Sequence, residues 1–260
     1  MDSPFVWAEV DLEAIAHNVL ELRRITNPSA DLMAVVKANA YGHGAVEVTR
    51  KVLENGANSL GVARIQEGIE LRKAGIKQSV LIFGYTPPEL AHKLIKFDLT
   101  QTVWSYSTAQ TFSDVAVSSN KQIKVHLKVD TGMGRLGLLP DCCRFPVTDQ
   151  NLIRNAVREA KSISSLAGLE MEGVYTHFAT ADSSDKTYAG KQFEIFVDFL
   201  NELRRAGMKP RLCHAANSAA IIDMPETHLD MVRAGIAIYG LYPSDNNYGR
   251  RDFFSGWSAS

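Results

Sequence analysis

The feature that most constrains the fold is an alternation along the chain between short runs rich in β-branched residues and longer runs with helical periodicity. Parallel strands need long crossover connections, usually helices, so this alternation favours an α/β fold. Eight short runs are predicted as strands, at residues 33–37, 59–63, 80–83, 101–104, 124–129, 171–176, 211–214 and 230–239. Eight strand–helix units predict a (β/α)8 TIM barrel, with a doubly wound open sheet as the alternative.

Local signals predict where several helices begin and end. Residues 151–167 and 186–206 carry apolar side chains at helical spacing and are predicted as helices. Asp11 is predicted to cap a first helix, and Pro88 to lie at the start of another. Gly207 is predicted to end the helix over residues 186–206, because glycine adopts the left-handed conformation found at helix ends.

The two ends of the chain depart from this pattern. Residues 6–10 are predicted to form a strand that precedes the barrel, whereas residues 244–260 lose all periodicity. We therefore predict an N-terminal strand element in residues 1–10, a barrel domain in residues 11–243 and an irregular C-terminal tail in residues 244–260.

The bulk composition argues against several classes of protein. The chain has 28 Lys and Arg residues against 29 Asp and Glu residues, so no basic surface for nucleic acid or an anionic membrane is indicated. The N-terminus carries no secretory signal, and no apolar run approaches the roughly 20 residues that span a bilayer. The three cysteines lack the spacing of zinc ligands. These observations predict a cytoplasmic protein without a metal site.

A lysine closes the first predicted strand, within residues 34–44, which read AVVKANAYGHG. The strands of such a barrel end at its C-terminal mouth, where barrel enzymes place their chemistry. Partial burial there would lower the pKa of Lys37 and make its neutral, nucleophilic amine available. Lys37 is therefore a candidate for covalent chemistry, and a solvated surface charge is the alternative.

Two later segments end predicted strands with groups that suit anions. Residues 127–137, LKVDTGMGRLG, present Arg135 on a glycine-rich turn, and the arginine fork is well suited to a carboxylate. Residues 214–220, HAANSAA, are predicted to open a short helix at Asn217 and Ser218. Free amides and a hydroxyl at such a position suit a phosphate, whereas an ordinary helix cap is the alternative.

Two further segments place a polar side chain on or at the end of a predicted strand. Residues 173–182, GVYTHFATAD, contain His177, and a histidine in this position is more often structural than catalytic. Residues 232–240, VRAGIAIYG, contain Arg233 within an otherwise apolar strand. Burial of an arginine is unfavourable unless it is paired, so Arg233 indicates a specific acceptor.

Taken in order, these five segments resemble the alanine racemases, which are fold-type III pyridoxal 5'-phosphate (PLP) enzymes, and the resemblance extends over residues 6–242. The resemblance implies PLP as cofactor, bound to Lys37 as a Schiff base, and interconversion of L- and D-alanine. The implied contacts of the cofactor and substrate are Tyr41 beside the cofactor, His177 against its pyridine ring, Asn217, Ser218, Gly235 and Ile236 at its phosphate, Arg233 at its pyridine nitrogen, and Arg135 near the substrate carboxylate.

Two of these implied residues carry a further consequence. Lys128 matches a lysine that is carbamylated in some members of the family. Arg233 keeps its proton, so it would leave the pyridine nitrogen unprotonated and the ring a weaker electron sink. A weaker sink favours reprotonation of the substrate over amino transfer, which agrees with a racemase.

The family's second base is a tyrosine from a C-terminal β domain of the partner subunit, and residues 245–260 do not match the start of that domain. We therefore expect a truncated enzyme with reduced or altered activity. A homodimer is an open alternative, in which the interface of the family would be incomplete. The tyrosines considered as replacements for the missing base are Tyr106, Tyr175, Tyr239 and Tyr248, and no motif favours one of them.

Two other functions stay open at this point. The first is a PLP-binding protein of cofactor homeostasis without catalytic activity, which would resemble the single-domain barrel carriers. The second is another fold-type III racemase or decarboxylase that acts on a larger amino acid.

Overall fold

The computed structural model describes residues 7–140 and 150–243, within which eight parallel strands form a closed barrel. The strands are β1 (Asp31–Val35), β2 (Ser59–Val62), β3 (Val80–Ile82), β4 (Thr100–Val103), β5 (Ile123–Lys128), β6 (Leu169–Tyr175), β7 (Leu212–His214) and β8 (Met231–Ala234). Each strand pairs with the next, and β1 pairs with β8, with Met33 opposite Arg233. The predicted (β/α)8 barrel is confirmed, and the open-sheet alternative is wrong.

The helices surround this barrel. They are α1 (Leu12–Ile25), α2 (Lys37–Tyr41), α3 (Ala45–Glu54), α4 (Ile65–Lys73), α5 (Ala91–Lys96), α6 (Tyr106–Ser118), α7 (Gln150–Ser164), α8 (Thr187–Arg205) and α9 (Ser218–Asp223). Short 3-10 turns occupy Pro88–Leu90, Pro225–Thr227 and Ile236–Tyr239. Among the described residues no helix is both long and apolar enough to cross a membrane.

The local signals at the helix ends are confirmed. Oδ1 of Asp11 accepts hydrogen bonds from the amides of Glu13 and Ala14, at 2.9 and 3.1 Å, and so caps α1. Pro88 opens the 3-10 turn that leads into α5. Gly207 has a φ of +83° two residues after the end of α8, a conformation that glycine adopts without steric strain.

The first and last strands are shorter at their C-terminal ends than predicted. β1 ends at Val35, so Lys37 begins the next helical segment instead of closing the strand. The run predicted as a strand over residues 230–239 leaves the sheet after Ala234. The amides of Gly235 and Ala237 then turn to the hydroxyl of Ser218, which replaces the pairing of the sheet by a turn.

The segment before α1 also differs from expectation. Residues 7–10 carry no regular secondary structure, although a strand is predicted over residues 6–10. A closed barrel offers no free edge with which such a segment could pair. The rest of the predicted strand element and the predicted tail of residues 244–260 lie outside the described residues, so the domain boundaries stay predictions.

Strand side chains alternate between two environments. Those that face outward, such as Leu60 and Val125, join one large core with the apolar faces of the helices. Those that face inward form a small apolar cluster of Met33, Leu81 and Met231. Two residues beyond Met231 on the same strand, the interior becomes polar at Arg233, because side chains on one face of a strand recur every second residue.

The core predicts a measurable difference between two positions of α6. Phe112 is fully buried in the large core, so Phe112→Ala is expected to lower the free energy of unfolding by about 3–5 kcal/mol through lost burial and a cavity. Val117 on the same helix is 55% exposed, and Val117→Ala is expected to change the free energy of unfolding by less than about 0.5 kcal/mol. Urea unfolding measures both values, and equal shifts of the midpoint would contradict this packing.

Candidate active site

The C-terminal ends of the strands surround a cavity of about 790 Å³, a size that suits a cofactor or small ligand. All ten residues that the sequence analysis proposed for the site line this cavity: Lys37, Tyr41, Lys128, Arg135, His177, Asn217, Ser218, Arg233, Gly235 and Ile236. The fold therefore brings together segments that lie far apart in the sequence. Their individual roles stay predictions.

Lys37 is followed by a turn of unusual handedness. Ala38, Asn39, Ala40 and Tyr41 have φ values of 53° to 55°, the left-handed helical region. This conformation costs L-residues roughly 1–2 kcal/mol each, so the surrounding contacts must stabilise it. Oδ1 of Asn39 accepts a hydrogen bond from the amide of Ala45 at 2.8 Å, which joins the turn to α3. The turn fixes the backbone of Lys37 at the cavity and directs Tyr41 into it.

Glu67 is a second support of this turn, and the sequence analysis did not identify it. Its Oε1 accepts a hydrogen bond from the amide of Ala38 at 2.8 Å. Its Oε2 accepts from the amides of Ala63 and Arg64, at 2.7 and 3.0 Å. One carboxylate thus joins the segment after β1 to the start of α4. The only sequence signal is a glutamate at the third position of a helix, a common place for a capping carboxylate.

Positive charge dominates the electrostatics of the cavity. Burial and the charge of Arg135 lower the pKa of Lys37, against the opposing effect of Glu67. Burial, with the charge of Arg233, lowers the pKa of Lys128 to about 8. Cations held together in this way favour the neutral amine of each lysine and attract an anionic ligand.

Arg135 lies on a loop that one carboxylate organises. Oδ1 of Asp130, which is buried, accepts hydrogen bonds from the amides of Gly132, Met133 and Gly134 at 3.0, 2.8 and 3.1 Å. Gly137 has a φ of +151°, and a Cβ there would lie 2.5 Å from the amide nitrogen of Asp130. Glycine is therefore required at position 137 by the close approach of the loop to its own strand.

Ser218 and Gly235 form a small polar recess in the cavity wall. The hydroxyl of Ser218 accepts a hydrogen bond from the amide of Gly235 at 2.9 Å, which leaves its own proton available for a ligand. Asn217 caps α9 as predicted, through a 3.1 Å hydrogen bond from the amide of Ala220. The amide of Gly235, predicted to bind a phosphate, instead donates to Ser218 in this structure. A Cβ at Gly235 would lie 3.1 Å from the hydroxyl of Tyr41, so glycine keeps the recess open.

His177 and Arg233 meet at the inner wall of the cavity. Nη2 of Arg233 lies 3.3 Å from Nδ1 of His177, and an arginine can only donate, so this imidazole nitrogen accepts. Burial, followed by the charge of Arg233, holds the pKa of His177 well below its ordinary value. His177 is therefore neutral at neutral pH, which agrees with a supporting role and not with that of a proton donor.

The tyrosines considered as a second base are not placed for that role in the described part of the chain. Tyr175 lines the cavity, but burial raises its pKa to about 12 and its hydroxyl lies 3.0 Å from Oγ1 of Thr102. The hydroxyl of Tyr239 donates to the carbonyl of Val35, and that of Tyr106 bonds to a side chain on its own helix. Tyr248 lies outside the described residues.

Comparisons with known proteins agree with the geometry. The model of the family described as "Alanine racemase, N-terminal domain" matches residues 10–243. An alanine racemase of Methanococcus maripaludis is 52% identical over 92% of this chain, and one of Desulfosudis oleivorans is also 52% identical over 92%. The chain spans 61% and 60% of the length of these two curated relatives.

A solved structure gives the same result. The alanine racemase of Clostridium difficile is 39% identical in sequence and superposes with a TM-score of 0.88. The match covers 96% of this chain and 66% of that chain.

The left-handed turn predicts a role for Glu67 that a matched variant can test. Glu67→Gln leaves one oxygen to accept where two accept now, and turns an NH2 group toward backbone donors. We expect the free energy of unfolding to fall by about 1–3 kcal/mol, with faster hydrogen exchange in peptides that cover residues 36–42. Glu70→Gln changes an exposed residue of the same helix and is expected to leave both unchanged. Unaltered exchange in Glu67→Gln would contradict this role.

The charges at the cavity predict how Lys37 titrates. Arg135→Gln is expected to raise the pKa of Lys37, because the charge of Arg135 is the second-largest cause of its lowering, after burial. The pH dependence of competitive amine labelling, with a lysine model peptide in the same tube, measures this change. Arg50→Gln removes an exposed charge on α3 and serves as the control. If the pH dependence of Lys37 labelling were the same in the unaltered protein, Arg135→Gln and Arg50→Gln, Arg135 would not be a cause of the lowered pKa of Lys37.

Proposed function

We propose that this chain, which belongs to the family of alanine racemase N-terminal domains, interconverts L- and D-alanine with PLP bound to Lys37. The observation that carries the proposal is the convergence of ten residues from five separate segments on one cavity, with Lys37 at its mouth. The activity is proposed for the protein in which this domain acts, since the chain matches only part of the length of its relatives.

The described residues fit this cofactor. Lys37 offers an amine whose lowered pKa favours the neutral, nucleophilic form. The recess at Gly235 holds the free proton of the Ser218 hydroxyl, which suits a phosphate oxygen. We propose that Lys37 holds the cofactor covalently, that Ser218, Asn217, Gly235 and Ile236 surround its phosphate, and that Tyr41 and His177 flank the ring. When bound, PLP withdraws electrons from the amino acid and acidifies its Cα–H bond.

Arg233 sets the character of the ring site. Its guanidinium is fully buried, and burial lowers its pKa to about 10, so it is still charged at neutral pH. Such a guanidinium would donate to the pyridine nitrogen of bound PLP without giving up its proton, which would limit the electron demand of the ring. We propose that this limit favours return of a proton to Cα over amino transfer.

Two further basic residues, Arg135 and Lys128, are proposed to hold the substrate, the first directly and the second by orienting the first. Arg135 lies at the cavity on the loop that Asp130 organises, and it is proposed to hold the carboxylate of alanine in a bidentate manner. Lys128 has a pKa of about 8, so a useful fraction of its amine is neutral near pH 7 and able to react with carbon dioxide. A carbamate on Lys128 would place a negative charge among these cations and is proposed as a modification that orients Arg135.

The two faces of the substrate need different bases. We propose that the amine of Lys37 moves the proton on the face that handles D-alanine. We propose that a group outside the described residues of one copy serves the opposite face, because burial raises the pKa of Tyr175 to about 12 and argues against that tyrosine. Assembly into a homodimer is part of the same proposal.

Reductive trapping and exchange test this function directly. We expect borohydride to fix added PLP on the peptide that contains Lys37, and deuterated solvent to enter Cα of alanine. Lys37→Arg removes the only amine proposed to form the bond, so both signals should be lost. Lys77→Arg alters an exposed lysine and is expected to keep both. Mass spectrometry measures the adduct and the deuterium.

Separate measurements with D- and L-alanine distinguish the other functions. Exchange that starts only from D-alanine would show Lys37 at work without an opposing base. PLP trapped on Lys37 with no turnover of any amino acid would instead identify a cofactor carrier. Turnover of larger amino acids but not of alanine would identify a different racemase or decarboxylase of the same fold.

A further inference from the structure

A row of buried polar side chains extends from the cavity down through the barrel, and we name it the Arg233–Glu172 relay. Nη1 of Arg233 lies 2.8 Å from Nδ1 of His214. Nε2 of His214 lies 2.9 Å from Nδ1 of His126. Nε2 of His126 lies 3.4 Å from Oε2 of Glu172, whose Oε1 accepts a 2.6 Å hydrogen bond from Arg211 near the surface.

The protons of this row have only one arrangement. Arg233 can only donate, so Nδ1 of His214 carries no proton and its Nε2 does. His214 therefore donates to Nδ1 of His126, and the remaining proton of His126 lies on Nε2, toward the carboxylate of Glu172. Burial lowers the pKa of both histidines, so each is neutral and has one proton to place.

The backbone is shaped to bring Glu172 into the row. The pairing of β5 with β6 shifts register between Val125 and His126. Val125 pairs with Met171 and His126 pairs with Gly173, so Glu172 is an extra residue on β6. Such a bulge redirects a side chain. A Cβ at Gly173 would lie 2.7 Å from the imidazole of His126, so glycine makes the room that this ring occupies.

The charge of Arg233 lacks direct compensation. Its other acceptors are the carbonyls of Thr176 and Ala215 and Nδ1 of His177, and among the described residues no carboxylate contacts it. Tyr175 stacks on His214, with ring centroids 4.8 Å apart and an interplanar angle of 5°, which fixes the plane of that imidazole. The hydrogen bonds to His126 and Arg211 hold the pKa of Glu172 down at about 2, so it carries its charge at any working pH.

We propose that Glu172 is a positioning residue for Arg233, acting through His126 and His214. The carboxylate polarises the two imidazoles in sequence, which strengthens the acceptor at Nδ1 of His214 and holds the guanidinium in one orientation at the cavity. The inference rests on the proposed function, since Arg233 is assigned there to the ring nitrogen of PLP.

Nitrogen-15 NMR of the imidazoles tests the relay without any turnover. In the unaltered protein we expect His214 and His126 to be neutral, each with its proton on Nε2 and a bare Nδ1. In Glu172→Gln we expect the Nδ1 signal of His214 to move toward that of a weaker hydrogen-bond acceptor. Glu170→Gln removes a charge from an exposed position of the same strand and is expected to leave the signal in place.

Steady-state racemisation gives the second measurement. Glu172→Gln is expected to lower kcat on the order of tenfold. Effects of this size are seen at metal sites when a residue that hydrogen-bonds to a metal ligand is replaced. KM for alanine should change by less than about twofold, because Glu172 does not contact the substrate. Thermal unfolding of both variants shows whether a lower kcat follows from a less stable fold.

The outcomes are separable. A proton on Nδ1 of His214 in the unaltered protein overturns the inference, even if no variant folds. A His214 signal or a kcat that is the same in Glu172→Gln and Glu170→Gln also overturns it. Absence of racemisation in the unaltered protein overturns the proposed function instead, and the imidazole signals still decide on the relay.

Discussion

The pairing of the first strand with the last is the contact on which the rest of the structure depends. β1 and β8 pair from Asp31 opposite Met231 to Ala34 opposite Ala234. This closure removes both edges of the sheet and fixes the width of the interior. It also places the end of β1, from which Lys37 follows, beside the end of β8, where Arg233 lies. The cavity is thus a direct result of the closure.

Closure alone would leave the cavity electrostatically unfavourable, because it gathers Lys37, Lys128, Arg135 and Arg233 around one space. Burial and mutual repulsion disfavour the charged form of each amine, as the lowered pKa values of both lysines show. An anionic ligand bound in this cavity would therefore be favoured electrostatically. An arrangement of charges that is unfavourable for folding is expected at a functional site, where a bound ligand compensates for it.

Sequence reasoning located the features that depend on neighbours in the chain. Asp11, Gly207 and Asn217 each act within a few residues of their own position, so their residue types were sufficient evidence. Glu67 and Glu172 act on segments distant in sequence, and the residues around a single glutamate do not indicate which distant segment it contacts. The bulge that turns Glu172 inward is likewise a property of two paired strands, so strict alternation along β6 could not reveal it. The resemblance to a family supplied roles that local patterns did not.

The polar layer beneath the cavity argues that function, and not stability, determines the middle of this barrel. Bulky apolar residues usually fill the interior of such a barrel, as Met33, Leu81 and Met231 partly do at the lower level. Well-packed apolar residues in place of buried charged groups are often neutral or stabilising. The hydrogen bonds of this layer run in one direction, from Arg233 through His214 and His126 to Glu172. A guanidinium that must face the cavity in one fixed orientation requires this direction, and the two imidazoles and the carboxylate beneath it provide it.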